Sequence, residues 1–513
     1  MRLERVQINY SIYIAFIQVY FLLFIACSFR GVDFTSGIKQ IGLAVTELVI
    51  DQLRRICGSA STLTSREDKI CYSYDGTPLF YQEPEAILFP ETVEQISEIL
   101  KLANQEKFAV VPRGAGTGLS GGSVPLKDSV VLVMTKWNKI IELDEANLTV
   151  TVEPGVVTGD LQKTVEKSGL FYPPDPGSSN VCTIGGNVAE NAGGLRGLKY
   201  GVTKNYLMGF EMVLPTGEIL VSGGKNYKDV AGYNLRDLVV GSEGTLGIFT
   251  KILLKLIPVP QRSITITSSF GNLTDCGNSV ANIISAHIVP SMIEFLDNTT
   301  INCVEDFTHI GLPRNAAAML ILEVDGRGDV VDYEANMIME ILKKNNAEGI
   351  RSTSDAEQAN TLKTARRSAF SALARKRPTA ILEDATVPRS ELPVMIEKVR
   401  TAAAQNNVVI GNFGHAGDGN LHPTCLIDEN DKAEVDSALR AFDFIFNEAI
   451  KLGGTITGEH GTGLAKKHFF EKSTPAPALN LMRKIKSAVD PNNILNPGKI
   501  FSNSPKCESL KLS

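Results

Sequence analysis

The sequence of residues 109–123 is Ala109-Val-Val-Pro-Arg-Gly-Ala-Gly-Thr-Gly-Leu-Ser-Gly-Gly-Ser123, and this glycine-dense stretch decides the fold. Because glycine has no Cβ, neighbouring backbone N–H groups can turn inward together and bind phosphate oxygens. Gly116, Gly118 and Gly121 match the dinucleotide pattern G-x-G-x-x-G, which indicates a Rossmann site only where a helix follows the loop. A short apolar strand, Val130-Val-Leu-Val-Met134, follows instead. The stretch therefore predicts a phosphate-binding loop outside a Rossmann fold, with a plain surface turn as the alternative.

The composition is typical of a soluble enzyme of two or three domains. The chain has 513 residues, a net charge of −6 and 21% charged residues, without the basic stripe that would indicate nucleic-acid binding. Its eight cysteines are scattered and no C-x-x-C pair occurs, which argues against an iron–sulfur or structural zinc site on this chain. Scattered thiols suit a reducing compartment, so we expect a cytoplasmic protein without a disulfide framework.

An uncharged stretch rich in Ile, Phe, Tyr and Leu occupies residues 8–29. Its length fits one membrane-spanning helix, which would associate the protein with the cytoplasmic face of a membrane. A signal peptide is an alternative, although no convincing cleavage site follows. A start codon assigned too far upstream is a third interpretation, because the folded pattern begins only near Ile41. Residues 1–40 are therefore treated as a hydrophobic N-terminal extension.

Strand and helix patterns alternate after this extension. Residues 85–90 and 109–112 are predicted strands, and between them Thr92 begins a predicted helix with Gln95 as its capping-box partner. Two further glycine-rich segments follow later in the chain. They are Gly185-Gly-Asn-Val-Ala-Glu-Asn-Ala-Gly-Gly194 and Gly241-Ser-Glu-Gly-Thr-Leu-Gly-Ile248. Three such loops fit an extended ligand that touches the backbone at several points.

The C-terminal half contains a cluster of imidazoles and a carboxylate. Two predicted strands, 408–413 and 421–427, flank Gly414-His-Ala-Gly-Asp-Gly-Asn420, so a hairpin would bring His415 and His422 to one end of a sheet. With Glu459 they could bind Zn²⁺, Mn²⁺ or Fe²⁺ and leave coordination positions open. The alternative is two hydrogen-bonded histidines and a glutamate that caps a helix. Adjacent residues of an extended segment point to opposite sides, so His460 would face a different group.

Four segments, in order, resemble the FAD domain of the vanillyl-alcohol oxidase / p-cresol methylhydroxylase flavoproteins. They are Arg113-Gly-Ala-Gly-Thr-Gly-Leu-Ser-Gly-Gly122, Pro173-Pro-Asp-Pro176, Thr183-Ile-Gly-Gly-Asn-Val-Ala-Glu-Asn-Ala-Gly-Gly194 and Gly241-Ser-Glu-Gly-Thr-Leu-Gly247. The resemblance covers roughly residues 41–501. It is greatest to the FAD-linked subunit of glycolate oxidase, D-lactate dehydrogenase and D-2-hydroxyglutarate dehydrogenase.

The resemblance implies an α+β fold. A two-part FAD-binding domain of the p-cresol methylhydroxylase type would occupy residues 41–260. A cap, or substrate domain, with an antiparallel sheet and helices would occupy 261–465. A C-terminal helical segment, 466–513, would return to the flavin domain.

The resemblance also implies contacts to FAD along the glycine loops. Residues 113–120 would meet the pyrophosphate, Asn187 and Asn191 would lie along the flavin, and Ile248 would lie near the adenine end. No histidine occupies the glycine loop, so a covalent histidyl–flavin bond is not expected. The full predicted FAD-binding set is Pro112, Arg113, Gly114, Ala115, Gly116, Thr117, Gly118, Ser120, Pro176, Gly177, Gly186, Asn187, Asn191, Gly193, Gly194, Tyr200, Gly201, Glu243, Gly247, Ile248 and Asn496.

By the same resemblance, His415, His422 and Glu459 are predicted metal ligands and His460 is the predicted base. Arg366 in Thr364-Ala-Arg-Arg-Ser-Ala-Phe370 matches a family arginine that grips the substrate carboxylate. A guanidinium suits this role because its planar fork pairs bidentately with a carboxylate. Without the resemblance, a solvated helix face would be the preferred interpretation of this arginine.

Two positions depart from relatives that use dicarboxylates. Phe370 replaces a hydroxyl contact, and Thr424 replaces an asparagine. Both departures favour glycolate or D-lactate over 2-hydroxyglutarate.

The predicted function is FAD-dependent oxidation of a small D-2-hydroxy acid to the 2-oxo acid, with hydride transfer to flavin N5 and His460 as the base that removes the hydroxyl proton. Electrons would pass to a respiratory or protein acceptor, such as an electron-transfer protein or partner subunits that carry iron–sulfur clusters. Three alternatives remain: a D-2-hydroxyglutarate dehydrogenase, an FAD-binding electron-transfer subunit without its own substrate, and a non-haem iron oxygenase.

Overall fold

In the computed structural model, which describes residues 45–502, the glycine-rich loop joins two strands of a small sheet. Strand β3 (Ala109–Arg113) leads into the loop and β4 (Ser129–Val133) leaves it, and the two strands run parallel. β2 (Ala86–Leu88) pairs parallel with the other side of β4, and β1 (Thr62–Leu63) pairs antiparallel with β2. No helix follows the loop directly, so the sequence correctly excluded a Rossmann site.

Three helices accompany this sheet: α1 (Glu47–Cys57), α2 (Arg66–Cys71) and α3 (Val93–Glu106). Apolar faces of α1 and α3 pack with the strands into one core cluster. The Thr92 hydroxyl accepts a hydrogen bond from the Gln95 backbone N–H, as the capping box predicts. The Gln95 side chain instead accepts from Glu91 N–H, so only half of that box forms. The Gln95 side chain reaches the N–H of Glu91, one residue before the N-cap residue Thr92, instead of the N–H of Thr92 itself.

A second sheet is antiparallel throughout and completes the half of the chain that the resemblance predicts to be the flavin domain, here called the flavin-domain half. Its strand order is β5-β6-β10-β8-β9. The strands are β5 (Ile140–Asp144), β6 (Thr149–Val152), β8 (Leu207–Val213), β9 (Ile219–Gly223) and β10 (Ile248–Lys255). A short pair beside it comprises β7 (Leu170–Phe171) and β11 (Ile257–Pro258). The helices of this region are α4 (Thr158–Glu166), α5 (Ile184–Glu190), α6 (Gly197–Tyr200) and α7 (Leu235–Val239).

The cap contains a large antiparallel sheet, as the resemblance predicted. Its order is β15-β12-β14-β13-β18-β19-β16, and β17 also pairs with β19. The strands are β12 (Arg262–Phe270), β13 (Met292–Asp297), β14 (Ala318–Gly326), β15 (Glu348–Thr353), β16 (Thr379–Leu382), β17 (Ala385–Thr386), β18 (Val409–His415) and β19 (Asn420–Ile427). The expected hairpin of β18 and β19 forms, with Gly414 opposite Leu421.

Helices cover both faces of the cap sheet. Because successive strand residues point to opposite faces, Ile293 and Phe295 belong to one core cluster while Met292 and Leu296 belong to another. The first cluster is covered by α8 (Leu273–Ser285), α10 (Gly328–Lys344), α13 (Leu392–Asn406) and α14 (Lys432–Lys451). The second is covered by α9 (Asn298–Thr308), α11 (Ala356–Arg367) and α12 (Ala369–Ala374).

The chain then returns to the first sheet. After α15 (Lys467–Ser473) and α16 (Ala476–Val489), Leu495 lies parallel to Val110, whose N–H donates to the Ile494 carbonyl at 2.8 Å. The family resemblance implied a return of the C-terminal segment to the flavin domain. The division into residues 41–260, 261–465 and 466–513 stays a prediction.

Two sequence observations concern membranes and thiols. Between residues 45 and 502, no helix combines the length and the apolar character that crossing a bilayer requires. Residues 8–29, the stretch considered as an anchor, lie outside the described residues. The six cysteines in the described part of the chain are all free thiols, as their scatter predicts.

Asp490 fastens the returning segment, and its removal gives a first prediction. Its buried carboxylate accepts from Ile494 N–H at 3.0 Å and Leu495 N–H at 2.9 Å and pairs with Lys486 at 2.5 Å. Asp490→Ala leaves buried donors without an acceptor, so we expect the free energy of unfolding to fall by roughly 2–3 kcal/mol. Urea titration measures the change, and Asp436→Ala, on the exposed side of α14, is the matched control. Equal stability of the two variants would contradict this role.

Candidate active site

The three glycine loops and the cap side chains line one cavity of about 620 Å³. Its size falls within the usual range of cofactor sites, about 300–1,000 Å³. All five predicted catalytic and metal-binding residues line it: Arg366, His415, His422, Glu459 and His460. The predicted FAD-binding residues that line it are Pro112, Arg113, Gly114, Ala115, Gly116, Thr117, Gly118, Pro176, Gly177, Gly186, Asn187, Gly193, Glu243, Gly247 and Ile248. The two halves of the chain thus share one site.

Six predicted FAD-binding residues lie outside the cavity lining: Ser120, Asn191, Gly194, Tyr200, Gly201 and Asn496. Their contacts are largely internal to the protein. The Tyr200 hydroxyl donates to Asp325 at 2.8 Å, and the Asn496 amide donates to the carbonyls of Gly122 and Glu243. Gly194 has φ +124° and packs against the Asp175 carbonyl, where a Cβ would clash. These residues shape the walls behind the lining.

The glycine-loop wall fits a dinucleotide cofactor. Within the described residues, the backbone N–H groups of Gly116, Thr117 and Gly118 donate to no protein acceptor, and all three line the cavity. Gly116 has φ +72°, and a Cβ there would lie 2.1 Å from the Arg113 guanidinium. A Cβ on Gly193 would lie 2.6 Å from the Glu459 carboxylate. The loops therefore offer unpaired N–H donors, and the positive φ of Gly116 is a backbone conformation that favours glycine.

The cap wall presents two imidazoles around one carboxylate oxygen. Glu459 Oε1 lies 3.1 Å from His415 Nε2 and 3.3 Å from His422 Nε2, and one ligand atom from each residue falls within 4.8 Å of the others. These three residues, the His/His/Glu cluster, fit a divalent metal in both donor type and spacing. Burial alone would raise the pKa of Glu459, but His415 and His422 hold that pKa well below its ordinary value.

Glu294 connects this cluster to Arg366. Its fully buried carboxylate lies 2.7 Å from His415 Nδ1 through one oxygen and 2.6 Å from Arg366 Nε through the other. Carboxylates that hold the outer nitrogen of a ligating histidine are the usual support of metal sites. Burial lowers the pKa of His415, but Glu294 and Glu459 outweigh it and raise the pKa to about 10. In the described part of the chain, Arg366 Nη2 is buried and has no acceptor, so it can receive an anion.

His460 lies on a turn, residues 458–463, that is held from both sides. Asp384 Oδ2 accepts the N–H groups of Gly458 at 2.6 Å and of Glu459 at 2.8 Å. Glu243, from the flavin-domain half, accepts Thr462 N–H at 2.7 Å and Gly463 N–H at 2.6 Å.

The His460 ring is buried beside a carboxylate and an imidazole. Its Nδ1 lies 3.6 Å from Asp384, and the ring stacks on His422 with centroids 5.0 Å apart. Burial lowers the pKa of His460 to about 4 despite the opposing charge of Asp384. A neutral imidazole is the form that accepts a proton.

Sequence reasoning missed Glu294, Asp384 and Lys466. Lys466 is fully buried and pairs with Asp384 and, at 3.2 Å, with Glu383. The available signal was weak: Glu294 is a lone acid within the apolar strand Met292-Ile-Glu-Phe-Leu296. Phe370 lines the cavity, whereas Thr424 is buried behind it and donates to the His422 carbonyl at 3.3 Å.

Comparisons with known proteins agree with this geometry. The family described as "FAD linked oxidases, C-terminal domain" matches residues 259–500, and the family "FAD binding domain" matches 84–223. Glycolate oxidase subunit GlcD of Bacillus subtilis is 47% identical over 458 residues, 89% of this chain and 97% of that protein. GlcD of Escherichia coli K12 is 35% identical, over 90% and 92%. D-lactate dehydrogenase of Anaerostipes hadrus is 34% identical, over 89% and 98%.

A solved structure shows the same fold. Substrate-bound p-cresol methylhydroxylase superposes with a TM-score of 0.74 at 18% identity, over 92% of this chain and 99% of that chain. The predicted fold type is thereby confirmed.

The buried pair of Asp384 and Lys466 gives a second prediction. Lys466→Met leaves the carboxylate of Asp384 buried without its cation, which should cost about 3–5 kcal/mol. The double variant D384N/K466M removes both charges, so we expect it to be more stable than K466M alone. Thermal and urea unfolding of the single and double variants test this, with Lys484→Met on the exposed side of α16 as control. Additive losses in the double variant would show that the pair is not coupled.

Proposed function

The chain belongs to the family of FAD-linked oxidases, and from this we propose that it oxidises a small D-2-hydroxy acid, glycolate or D-lactate, to the 2-oxo acid. The observation that carries the proposal is the single cavity shared by the glycine loops, Arg366, His460 and the His/His/Glu cluster. The names of the relatives, glycolate oxidase subunit and D-lactate dehydrogenase, support this substrate class. Phe370 at the cavity wall favours a monocarboxylate over a dicarboxylate.

The flavin-domain wall is where we propose that FAD binds. The unpaired N–H groups of Gly116, Thr117 and Gly118 would hold phosphate oxygens. When bound, FAD supplies the two-electron acceptor that no side chain provides.

Arg366 is the proposed carboxylate clamp. Its Nε lies 2.6 Å from Glu294 in an ion pair, and its buried Nη2, which makes no hydrogen bond in the described part of the chain, would be available for a substrate oxygen. The guanidinium also lies over the Phe413 ring, 4.7 Å from the centroid, which fixes its plane. A small 2-hydroxy acid held there would have its hydroxyl within the same cavity as His460.

His460 is the proposed base. Its Nδ1 faces Asp384, so Nε2 is the atom that would accept the hydroxyl proton. The imidazolium so formed would be stabilised by Asp384, whose position is fixed by three backbone N–H groups and by Lys466.

The His/His/Glu cluster is the proposed metal site. A divalent ion of the Zn, Mn or Fe type would bind through His415 Nε2, His422 Nε2 and Glu459. When bound, it supplies a Lewis acid that lowers the pKa of a nearby hydroxyl.

Partner subunits or an electron-transfer protein are proposed as acceptors. The relatives' names describe subunits, and this chain lacks cysteine pairs for a cluster of its own.

Flavin reduction is the direct test of the proposed function. We expect yellow protein whose absorbance near the flavin maximum bleaches when glycolate or D-lactate is added without oxygen. A yellow protein that remains oxidised with every 2-hydroxy acid would instead support an electron-transfer subunit without its own substrate. Colourless protein after careful purification would refute the flavin assignment.

His460→Asn should slow that bleaching by roughly 10²–10⁴-fold, because a positioned base contributes about that much to proton transfer. Stopped-flow absorbance under saturating substrate measures the rate, and FAD content checks that the cofactor remains. His287→Asn is the matched control, since that histidine is exposed on the cap with φ +61°. A rate near that of the wild type would show that His460 is not the base.

Metal content tests the cluster independently. We expect about one divalent ion per chain in the purified protein and its loss in His422→Asn, because the remaining two ligands do not make a closed site. Elemental analysis per bound FAD measures this, with the exposed His309→Asn as control. Dialysis against a chelator should abolish turnover, and added Mn²⁺ or Zn²⁺ should restore it. An equal metal content in His422→Asn and His309→Asn would show that the metal binds outside the His/His/Glu cluster.

A further inference from the structure

A second cavity of about 290 Å³ adjoins the active-site cleft. We call it the annex. Four residues line both cavities and form the wall between them: Gly76, Leu119, Phe370 and Leu382. Three of these residues, Leu119, Phe370 and Leu382, have apolar side chains, so the boundary between cleft and annex is apolar.

The wall between the cavities lies close to two of the proposed site residues, Arg366 and His422. Arg366 lies in the last turn of α11 and Phe370 in the first turn of α12, and both residues line the cleft. Leu382 pairs with Thr424 across β16 and β19, two residues beyond His422. The two cavities therefore meet at residues that adjoin Arg366 and the His/His/Glu cluster.

Beyond the wall the annex is mainly aromatic and aliphatic. Phe442 and Phe446 reach it from α14, and Phe469 packs on Phe446 with ring centroids 4.7 Å apart. The acidic group in the lining is Glu383, and its carboxylate is already paired with Lys466 at 3.2 Å. The lining also contains Lys467 and the exposed His468, but most of its side chains are those of phenylalanine, leucine and isoleucine. This apolar majority suits an uncharged hydrocarbon.

We propose that the annex binds the aliphatic side chain of a 2-hydroxy monocarboxylic acid longer than lactate, while Arg366 holds its carboxylate. This inference rests on the proposed function and names a wider substrate class for the same site. Lys467 and the exposed His468 line the annex together with Phe469 and Ser502. The annex thus extends from the cleft toward the surface near residue 468. An alkyl chain of intermediate length could lie in it, because such a chain carries no charge that would lose its hydration.

Binding of inert acids tests the annex without turnover. Unbranched alkanoates from acetate to octanoate lack the hydroxyl group and cannot be oxidised, and each is measured by perturbation of the flavin spectrum and by inhibition of D-lactate-driven bleaching. Each added methylene should tighten binding about fourfold, because burying one methylene contributes about 0.8 kcal/mol through the hydrophobic effect. D-2-hydroxyoctanoate should correspondingly reduce the flavin with a lower KM than D-lactate.

Two cavity-filling variants locate the effect. Leu439→Trp fills the annex from α14 and Leu79→Trp fills it from the flavin-domain half. Each should remove the dependence on chain length while acetate binding and bleaching by D-lactate stay unchanged. Leu481→Trp is the matched control, because that leucine is 59% exposed on α16. FAD retention and D-lactate bleaching also show whether each variant has folded.

The outcomes separate this inference from the proposed function. If D-lactate bleaches the flavin but affinity does not rise with chain length, the annex proposal is wrong and the proposed function stands. If no 2-hydroxy acid bleaches the flavin, the proposed function fails, and the spectral titration with alkanoates still reports on the annex. A short-chain quinone whose binding is blocked by Leu439→Trp, with no chain-length effect for acids, would assign the annex to an electron acceptor and overturn the proposal.

Discussion

The site depends on one turn whose backbone is held by two buried carboxylates from opposite halves of the chain. Asp384, on the cap side, accepts the N–H groups of residues 458–460, and Glu243, on the flavin-domain side, accepts those of 462 and 463. The hydrogen bonds from these backbone N–H groups offset the free-energy cost of removing each carboxylate from water. The backbone of the turn is therefore held by both halves of the chain. Glu459, the proposed metal ligand, and His460, the proposed base, both lie on it.

A third buried carboxylate connects the proposed anion clamp with the proposed metal site. Glu294 on β13 spans Arg366 on α11 and His415 on β18, with one oxygen for each. Burial raises the pKa of Glu294, yet Arg366 and His415 outweigh it and keep that pKa below its ordinary value. The carboxylate stays charged because both partners are present. Loss of either would leave this buried charge with one partner instead of two, so the proposed clamp and the proposed ligand are coupled through one strand residue.

The sequence predicted the parts of the site whose residues lie within one short segment. It did not predict the pairs of residues that are far apart along the chain. The glycine loops and the hairpin with His415 and His422 are contiguous signals, because turn geometry and strand alternation are fixed within a few residues. Glu294 lies 121 residues from His415, and Asp384 lies 74 residues from Gly458. No spacing rule connects such pairs. They become visible only when the cap sheet places β13 beside β18 and when Thr386, two residues after Asp384, pairs with Thr455, three residues before Gly458.

The charge balance of the cap wall bears on whether the proposed metal is needed. Glu294 and Glu459 contribute two negative charges and Arg366 contributes one positive charge, whereas Asp384 with Lys466 and Arg367 with Asp175 are paired. Without a metal, the raised pKa of His415 keeps that imidazole protonated, so these charges sum to about zero. A divalent ion bound at the His/His/Glu cluster would displace the proton, because a ligating imidazole is neutral. Two positive charges would then replace one, and the wall would carry a net positive charge. Under the proposal, metal binding therefore makes the wall more attractive to a monoanion than it is without the metal.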